Sequence, residues 1–400
     1  MADQSAYSDS AVMPTYGRAD LCFVRGQGSW LYTADDTAYL DCATGIAVNL
    51  FGHNDHRLTA ALHQQADKLW HTSNLYRIPE QERLATRLAE HARLDHVFFC
   101  NSGAEANEAA VKMARRFQNR ASGEGCYKIL CAGGSFHGRT LAMLAATDKP
   151  LFRDGFGPMP LGFEHVPFGN LNSLRDALSD DVAAIMVEPV QGEGGANAAP
   201  DDYMRGVRAA ADEYGCLLIA DEVQSGMGRS GHLFAYQAAD IQPDLVVLAK
   251  GLGGGFPVGA VIARRDIGEA MGPGSHGSTF GGNPLAMAVA NAVLDGLEED
   301  GFLAAVRERI ASLDGYLTQL QRAWREEIIE LRGAGLLRGL RLAEGIAVGE
   351  VTTALRDRHL LCVPAADNVL RLLPPLTISE DELVIAHSTL DHYFSEVTAV

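Results

Sequence analysis

Long apolar runs are missing from this sequence. No apolar run approaches the roughly 18 residues that a membrane-spanning helix needs. Residues 1–5 carry acidic rather than basic charge, and no apolar core follows them, so we expect no signal peptide. Basic residues are also scarce, since 33 Lys and Arg against 51 Asp and Glu leave a net charge of −18. Such a surface repels phosphate backbones and anionic lipid, so we expect the protein to bind neither nucleic acid nor membrane. Without a signal peptide or a membrane-spanning run, the expected location is the cytoplasm.

Cysteine pairs and metal-ligand clusters are missing as well. The seven cysteines are odd in number, show no CxxC spacing and often lie in apolar runs, as Cys100 does. They are typical of small buried residues in a reducing compartment. His53 and His56 have HxxH spacing, but neither lies in a clear helix and no third ligand is evident. We therefore expect no metal site.

Short apolar runs are abundant and alternate with helical stretches between about residues 95 and 265. The runs are apolar at nearly every position, as in strands that are buried on both faces of a largely parallel sheet. This βαβ pattern predicts an α/β fold. The predicted strands are 96–100, 127–132, 183–188, 216–221, 244–249 and 257–263.

The flanking segments predict a smaller α+β domain. The pattern of residues 284–325 predicts one helix that begins at Pro284. Short strands and helices alternate near the C-terminus, and three weak strand signals lie near the N-terminus. These predicted elements are strands 336–342 and 369–373, helices 347–359 and 379–396, and strands 20–24, 29–33 and 38–41. We predict three parts: 1–50, which joins the small domain, a large domain over 51–290, and the small domain over 291–400.

Polar side chains follow the predicted strands, where ligands bind in an open parallel sheet. Ser102 and Gly103 open a helix after the first strand, and free N–H groups at such a helix start bind anions. Phe136, after the second strand, could stack on a flat ring, and Arg139 could bind a carboxylate. Each feature alone is equally compatible with an ordinary capped helix or a glycine-rich turn.

Charged residues follow the later strands. Asp221 ends the fourth run and could hold a metal ion or a protonated ring nitrogen. Lys250 follows Ala249 at the end of the fifth run, where burial would lower its pKa and make it nucleophilic, unless its side chain reaches solvent. An anion site, a stacking ring, an aspartate and a buried lysine are together what pyridoxal phosphate (PLP) requires. We therefore predict PLP as the cofactor.

The motifs in this order resemble the class III aminotransferases of PLP fold type I over nearly the whole chain. The resemblance rests on residues 43–49, 99–108, 136–139, 188–195, 221–224 and 249–257. It implies a large domain with a mostly parallel seven-stranded sheet. It also implies a homodimer with shared active sites.

The resemblance further implies a role for individual residues. Lys250 would be the Schiff-base lysine and Asp221 the partner of the ring nitrogen. Arg139 would bind the carboxylate of the amine donor, with Ser278 near the substrate, and Arg371 would be masked by Glu193 until 2-oxoglutarate arrives. The residues implied in cofactor binding are Ser102, Gly103, Ala104, Phe136, Asp221, Glu222, Val223, Gln224, Lys250 and, from the neighbouring subunit, Thr279.

The implied reaction is transfer of the δ-amino group of N2-acetylornithine to 2-oxoglutarate by a ping-pong mechanism, in arginine biosynthesis. Residues 45–49 and 73–76 resemble the subgroup that uses this donor. Ornithine, succinylornithine, succinyldiaminopimelate and 4-aminobutyrate stay open as donors. A nucleotide-binding enzyme would need a glycine fingerprint after the first strand, which is missing. A PLP-fold transcription regulator would need a basic DNA-binding domain.

Overall fold

The computed structural model describes residues 11–123 and 125–397, without the side chain of residue 122. Residues 1–5, on which the prediction about a signal peptide rests, lie outside the described residues. Within the described ranges, no helix combines the length and the apolar character that crossing a membrane takes.

Strands and helices alternate along most of the chain. The strands are β1 (Phe23–Gln27), β2 (Trp30–Thr33), β3 (Ala38–Asp41), β4 (His96–Cys100), β5 (Lys128–Ala132), β6 (Phe163–Val166), β7 (Val182–Val187), β8 (Val190–Gln191), β9 (Asn197–Ala198), β10 (Leu217–Asp221), β11 (Leu245–Leu248), β12 (Gly259–Ala263), β13 (Ile328–Ala334), β14 (Leu337–Leu342), β15 (Leu360–Leu361), β16 (Val363–Ala365) and β17 (Val369–Leu372). The helices are α1 (Thr44–Ala47), α2 (His56–Ala66), α3 (Pro79–Ala92), α4 (Gly103–Ser122), α5 (Leu141–Ala146), α6 (Pro150–Arg153), α7 (Leu171–Ala177), α8 (Asp201–Tyr214), α9 (Arg265–Glu269), α10 (Pro284–Leu297), α11 (Phe302–Ala323), α12 (Val348–Asp357) and α13 (Glu380–Val397).

The central element is a seven-stranded sheet with the strand order β4-β12-β11-β10-β7-β5-β6. Only β12 runs antiparallel to its neighbours in this sheet. Every residue of β7, β10, β11 and β12 is buried, which explains why these strands are apolar at nearly every position. The predicted α/β fold with a mostly parallel seven-stranded sheet is confirmed. The prediction missed β6, an edge strand whose exposed Glu164 interrupts the apolar pattern.

Two four-stranded sheets lie outside the central sheet, and one of them joins the two ends of the chain. Strands β1, β2 and β3 form one sheet with β15, which comes from the C-terminal region and runs parallel to β3. Strands β13, β14, β17 and β16 form the other sheet. The N-terminal strands thus pair with the C-terminal part, in line with the expected small domain. The three domain ranges themselves stay a prediction.

The predicted helix over 284–325 is two helices. Helix α10 ends at Leu297 and α11 begins at Phe302. Gly301 between them has a φ of 81°, which a right-handed helix does not accommodate. The prediction of one helix was wrong because the apolar periodicity continues on both sides of this turn.

Candidate active site

Segments that follow five strands of the central sheet line one cavity of about 430 Å³. The strands are β4, β5, β7, β10 and β11, and their carboxyl ends lie at the same edge of the sheet, because all five run in the same direction. Predicted site residues that line the cavity are Ser102, Gly103, Ala104, Phe136, Arg139, Asp221, Val223, Gln224 and Lys250.

The start of α4 forms one wall of the cavity. The Ser102 hydroxyl accepts a hydrogen bond from the Glu105 N–H at 3.2 Å, and the Glu105 carboxylate accepts one from the Asn101 N–H at 2.6 Å. These two hydrogen bonds fix the helix start, where unpaired N–H groups and the helix dipole favour an anion. A side chain at Gly103 would crowd Val223, since its Cβ would lie 2.9 Å from Val223 Cγ1.

The carboxylate of Asp221 is held from three directions. Oδ2 accepts a hydrogen bond from Asn107 Nδ2 at 2.8 Å and lies 2.7 Å from His137 Nδ1. Oδ1 accepts from the Val223 N–H at 3.0 Å. Burial by itself would lower the pKa of His137, but the hydrogen bond and the charge of Asp221 outweigh it and raise that pKa. Asp221 is therefore rigidly oriented at the end of β10.

Sequence reasoning gave no role to Asn107 or His137, although both lie in the quoted motifs. Asn107 also donates to the His137 carbonyl at 2.8 Å, so one side chain ties α4 to the loop after β5. An apolar run followed by Asp221 predicts the carboxylate itself. It does not reveal donors that come from two other segments.

Phe136 is fixed on the cavity wall by a buried acid. Its N–H donates to Glu188 Oε2 at 3.1 Å, directly after β7. Burial raises the pKa of Glu188, and the charge of His137 opposes this only in part. The neutral form of Glu188 is therefore favoured, because burying an uncharged carboxyl group costs less free energy than burying a carboxylate.

Lys250 lies in the cavity with an unusual backbone and a shifted pKa. Its φ of 44° is in the left-handed region, which a non-glycine residue adopts only at a cost. Burial lowers its pKa to about 8, although the charge of Glu193 opposes the change. The amine is therefore neutral far more often near pH 8 than an ordinary lysine is.

Arg371 and Glu193 do not line the cavity but lie beside it, where Arg371 contacts the lining residue Gln224. Arg371 lies on β17 with a side chain that is 1% exposed, and Nη2 pairs with Glu193 Oε1 at 2.7 Å. Nη1 donates to Gln224 Oε1 at 2.8 Å. Burial would raise the pKa of Glu193, but Arg371 and Lys250 outweigh it and lower that pKa. A Cβ at Gly192 would lie 1.6 Å from Gln224 Oε1, so only glycine permits this packing.

Arg139, in contrast, is exposed at the cavity mouth. Its guanidinium carbon lies 3.5 Å from the ring centroid of Phe152 and 5.6 Å from that of Phe136. Arg139 takes part in none of the salt bridges found between described residues. One arginine at the site is thus open to a carboxylate and the other is paired with one.

The sequence profile described as "Aminotransferase class-III" matches residues 12–394. The chain belongs to this family. The family predicted from the motifs is confirmed, and with it the fold class.

Known relatives of this aminotransferase cover nearly its whole length. The acetylornithine aminotransferase of Rhodobacter capsulatus is 49% identical over 96% of this chain and 97% of its own. The crystal structure of N-acetylornithine aminotransferase from Stenotrophomonas maltophilia has a TM-score of 0.83 and 36% identity, covering 96% of this chain and 98% of that one. The ornithine aminotransferase from Toxoplasma gondii has a TM-score of 0.93 and 31% identity, covering 97% and 93%.

Glu222 differs from the other residues expected to bind the cofactor after β10, and its cofactor contact stays a prediction. Its side chain does not line the cavity of this aminotransferase but points to the opposite side of the turn after β10. There the carboxylate accepts hydrogen bonds from Ser225 Oγ at 2.6 Å and the Tyr236 N–H at 2.8 Å. Burial raises its pKa to about 7. Glu222 therefore holds the turn after β10 through these two hydrogen bonds.

Ser278 and Thr279 line a neighbouring pocket and not the cavity that contains Lys250. Ser278 Oγ accepts hydrogen bonds from Asn101 Nδ2 at 3.3 Å and the Gly281 N–H at 2.9 Å. Thr279 is exposed. A single aminotransferase chain therefore does not bring Thr279 to its own anion site, and the expected role needs a second chain.

His53 and His56, the two histidines with HxxH spacing, have different surroundings. His53 Nε2 lies 2.7 Å from Asp41 Oδ2, at the end of β3. His56 begins α2. Among the described residues, no group of three or more His, Cys, Asp or Glu could hold a metal ion.

Proposed function

We propose that this aminotransferase uses PLP to transfer the δ-amino group of N2-acetylornithine to 2-oxoglutarate, which yields N-acetylglutamate 5-semialdehyde and glutamate. The observation that carries the proposal is the contrast between open Arg139 and paired Arg371 around Lys250. The names of the relatives support acetylornithine as the donor. The reaction belongs to arginine biosynthesis. A cytoplasmic location stays a prediction from the sequence.

The cavity fits PLP. The start of α4, with Ser102, Gly103 and Ala104, suits the phosphate, and Phe136 and Val223 suit the two faces of the ring. Gln224 keeps its amide NH₂ for the phenolic oxygen, because its Oε1 accepts from Arg371. When bound, PLP withdraws electrons from the substrate carbon and so makes its proton removable.

Asp221 and Lys250 carry the chemistry that the chain itself supplies. Asp221, oriented by Asn107 and His137, would keep the ring nitrogen protonated. Lys250 would attach the cofactor and, once displaced by the donor amine, move the proton. Its low pKa suits both tasks, because a neutral amine is needed to attack and to accept a proton.

Two arginines would distinguish the two substrates. The donor reacts at its δ-amine, so its distant carboxylate binds Arg139 while Glu193 neutralises Arg371. The oxo acid carries a carboxylate next to its reacting carbon, and that carboxylate would replace Glu193 at Arg371. A buried arginine without any anion would be costly, so the exchange keeps Arg371 paired in both half-reactions.

We also propose a homodimer with shared active sites. The surface beside Thr279 exposes large apolar side chains: Trp70 is 65% exposed, Leu75 86% and Phe280 61%. Asn74 Nδ2 ties this surface together by donating to the carbonyls of Ser278 and Gly281. Contiguous exposed apolar groups favour association, and Thr279 would then reach the phosphate in the other subunit.

A comparison of amine donors tests the substrate. We expect kcat/KM with 2-oxoglutarate to be highest for N2-acetylornithine among acetylornithine, ornithine, N-succinylornithine, succinyldiaminopimelate and 4-aminobutyrate. Ornithine is the second candidate, because the Toxoplasma gondii ornithine aminotransferase has nearly the same fold. A higher kcat/KM for ornithine would overturn the proposed donor.

Replacement of Arg139 tests the donor site. We expect Arg139→Ala to raise the KM for acetylornithine about 10- to 100-fold, which is the effect expected from the loss of a charge-assisted hydrogen bond. PLP affinity should stay near that of the wild type. Arg265→Ala is the control, because Arg265 is exposed and pairs with Asp95 outside the cavity. An unchanged KM would remove Arg139 from the donor site.

A further inference from the structure

Lys149 lies next to the Glu193–Arg371 pair and has no assigned role. It precedes α6 and is half-buried. Its ammonium donates to the main-chain carbonyl of Glu193 at 2.6 Å and lies 5.4 Å from the ring centroid of Phe152. Lys149 joins none of the salt bridges found between described residues. A partly desolvated cation thus lies beside Glu193 with only neutral groups in contact.

The charges around Lys149 identify the anion that it could bind. Burial lowers its pKa, and the positive charges of Arg371 and Arg139 add to this, whereas Glu193 raises it. A desolvated ammonium is stabilised most by a carboxylate in direct contact. The Glu193 carboxylate, with a side chain that is 23% exposed, is at present bound to Arg371 instead.

Glu193 needs a new cation when the carboxylate of an oxo acid binds Arg371. Its carboxylate would lose its guanidinium partner while still largely desolvated, which is costly without a new cation. The carbonyl of the same residue is already held by Lys149. Because Lys149 already binds this residue, we expect rotation about the Glu193 side-chain bonds to bring the carboxylate to the ammonium.

We propose that Lys149 is the second partner of Glu193 and receives its carboxylate when a dicarboxylic oxo acid occupies Arg371. Lys149 is thus a positioning residue that stabilises the unmasked form of the site. This inference rests on the proposed exchange at Arg371. It predicts that Lys149 affects the oxo-acid substrate and not the amine donor.

Binding of glutarate, an unreactive dicarboxylate, tests the proposal on the holoenzyme by isothermal titration calorimetry. We expect Lys149→Met to weaken glutarate binding about tenfold, as loss of a hydrogen bond between charged groups would. Lys149→Arg, which keeps the charge, should restore the affinity. The KM for acetylornithine should change much less. Equal glutarate affinity in Lys149→Met and wild type would overturn the proposal.

The same substitution in a Glu193→Ala background separates a charge effect from a structural one. The hydrogen bond from Lys149 to the carbonyl of residue 193 remains possible there, but residue 193 no longer has a carboxylate that Lys149 could bind. We expect Lys149→Met to leave glutarate affinity unchanged in this background. An equal loss in both backgrounds would mean that Lys149 anchors the loop or binds the ligand directly, and the proposal would be wrong. Failure to turn over acetylornithine would instead contradict the proposed function, since glutarate binding is measured independently.

Discussion

Lys250 owes its reactivity to its position and not to its residue type. It follows the fully buried strand β11, where its ammonium loses hydration and its pKa falls to about 8. Glu193 limits the fall and Arg371 deepens it, so the pair beside Lys250 also adjusts its charge. The left-handed φ of 44° at this residue is tolerated because the surrounding sheet and turn hold the backbone.

The pH dependence of cofactor attachment should report this pKa. The neutral amine attacks the aldehyde of PLP, so attachment to the cofactor-free protein should rise with pH and level off above about 8. A lysine at its ordinary value of 10.5 would still be mostly protonated there. The measurement is the rate of the absorbance change after mixing with PLP across the pH range.

Lys250→Ala is the control for this experiment. Lys128→Ala, at the start of β5, is the matched substitution of a lysine outside the cavity. Borohydride should fix the cofactor to the wild type and to Lys128→Ala, and not to Lys250→Ala. A midpoint near 10.5, or fixation in Lys250→Ala, would contradict the role of Lys250.

At the scale of elements, α4 is both a structural unit and an anion site. The Ser102 hydroxyl caps the helix and the Glu105 carboxylate binds the Asn101 N–H, so the helix begins at a defined residue beside the cavity. The 20-residue helix packs against β11 and β12 of the central sheet. Stability and anion binding therefore depend on the same few atoms.

A comparison of two helix caps separates these effects. Ser102→Ala and Asn170→Ala each remove a side chain that caps a helix, at α4 and α7 respectively. We expect each to lower the free energy of unfolding by about 1 kcal/mol in urea denaturation. Only Ser102→Ala should also weaken PLP, measured by titration of the cofactor-free protein. Equal PLP affinity in both variants would exclude Ser102 from the phosphate site.

At the scale of the whole molecule, the site draws on parts that are far apart in the chain. Arg371 and Gln224, 147 residues apart, meet where β17 approaches the edge of the central sheet. Thr279 remains outside the cavity of its own chain. The exposed apolar surface around Trp70 and Phe280 is where a second copy would bring Thr279 into place.

Mixed dimers test the shared active site. A Lys250→Ala subunit paired with a Thr279→Ala subunit has one site with both defects and one intact site. We expect the mixed dimer to regain about half of the wild-type activity at limiting PLP, because independent sites contribute additively. Each parent homodimer should be far less active. No gain over the parents would contradict sharing of Thr279 between subunits.

Local sequence was sufficient for six of the seven strands of the central sheet, all except β6, and for much of the cavity. Strands buried on both faces are apolar at nearly every position, and parallel strands end at one edge, so the residues after each run could be predicted to meet. Asp221, Lys250 and the start of α4 follow from that rule. Phe136 and Arg139 follow from it as well.

Only the tertiary structure decided which side chains touch across distant segments. It placed Glu222 away from the cavity, gave Asp221 its donors Asn107 and His137, and joined Arg371 to Gln224. It also placed Lys149 against the Glu193 carbonyl. The hydrophobic pattern of a segment predicts which of its residues are buried. The contacts between distant side chains depend instead on how whole segments pack on one another.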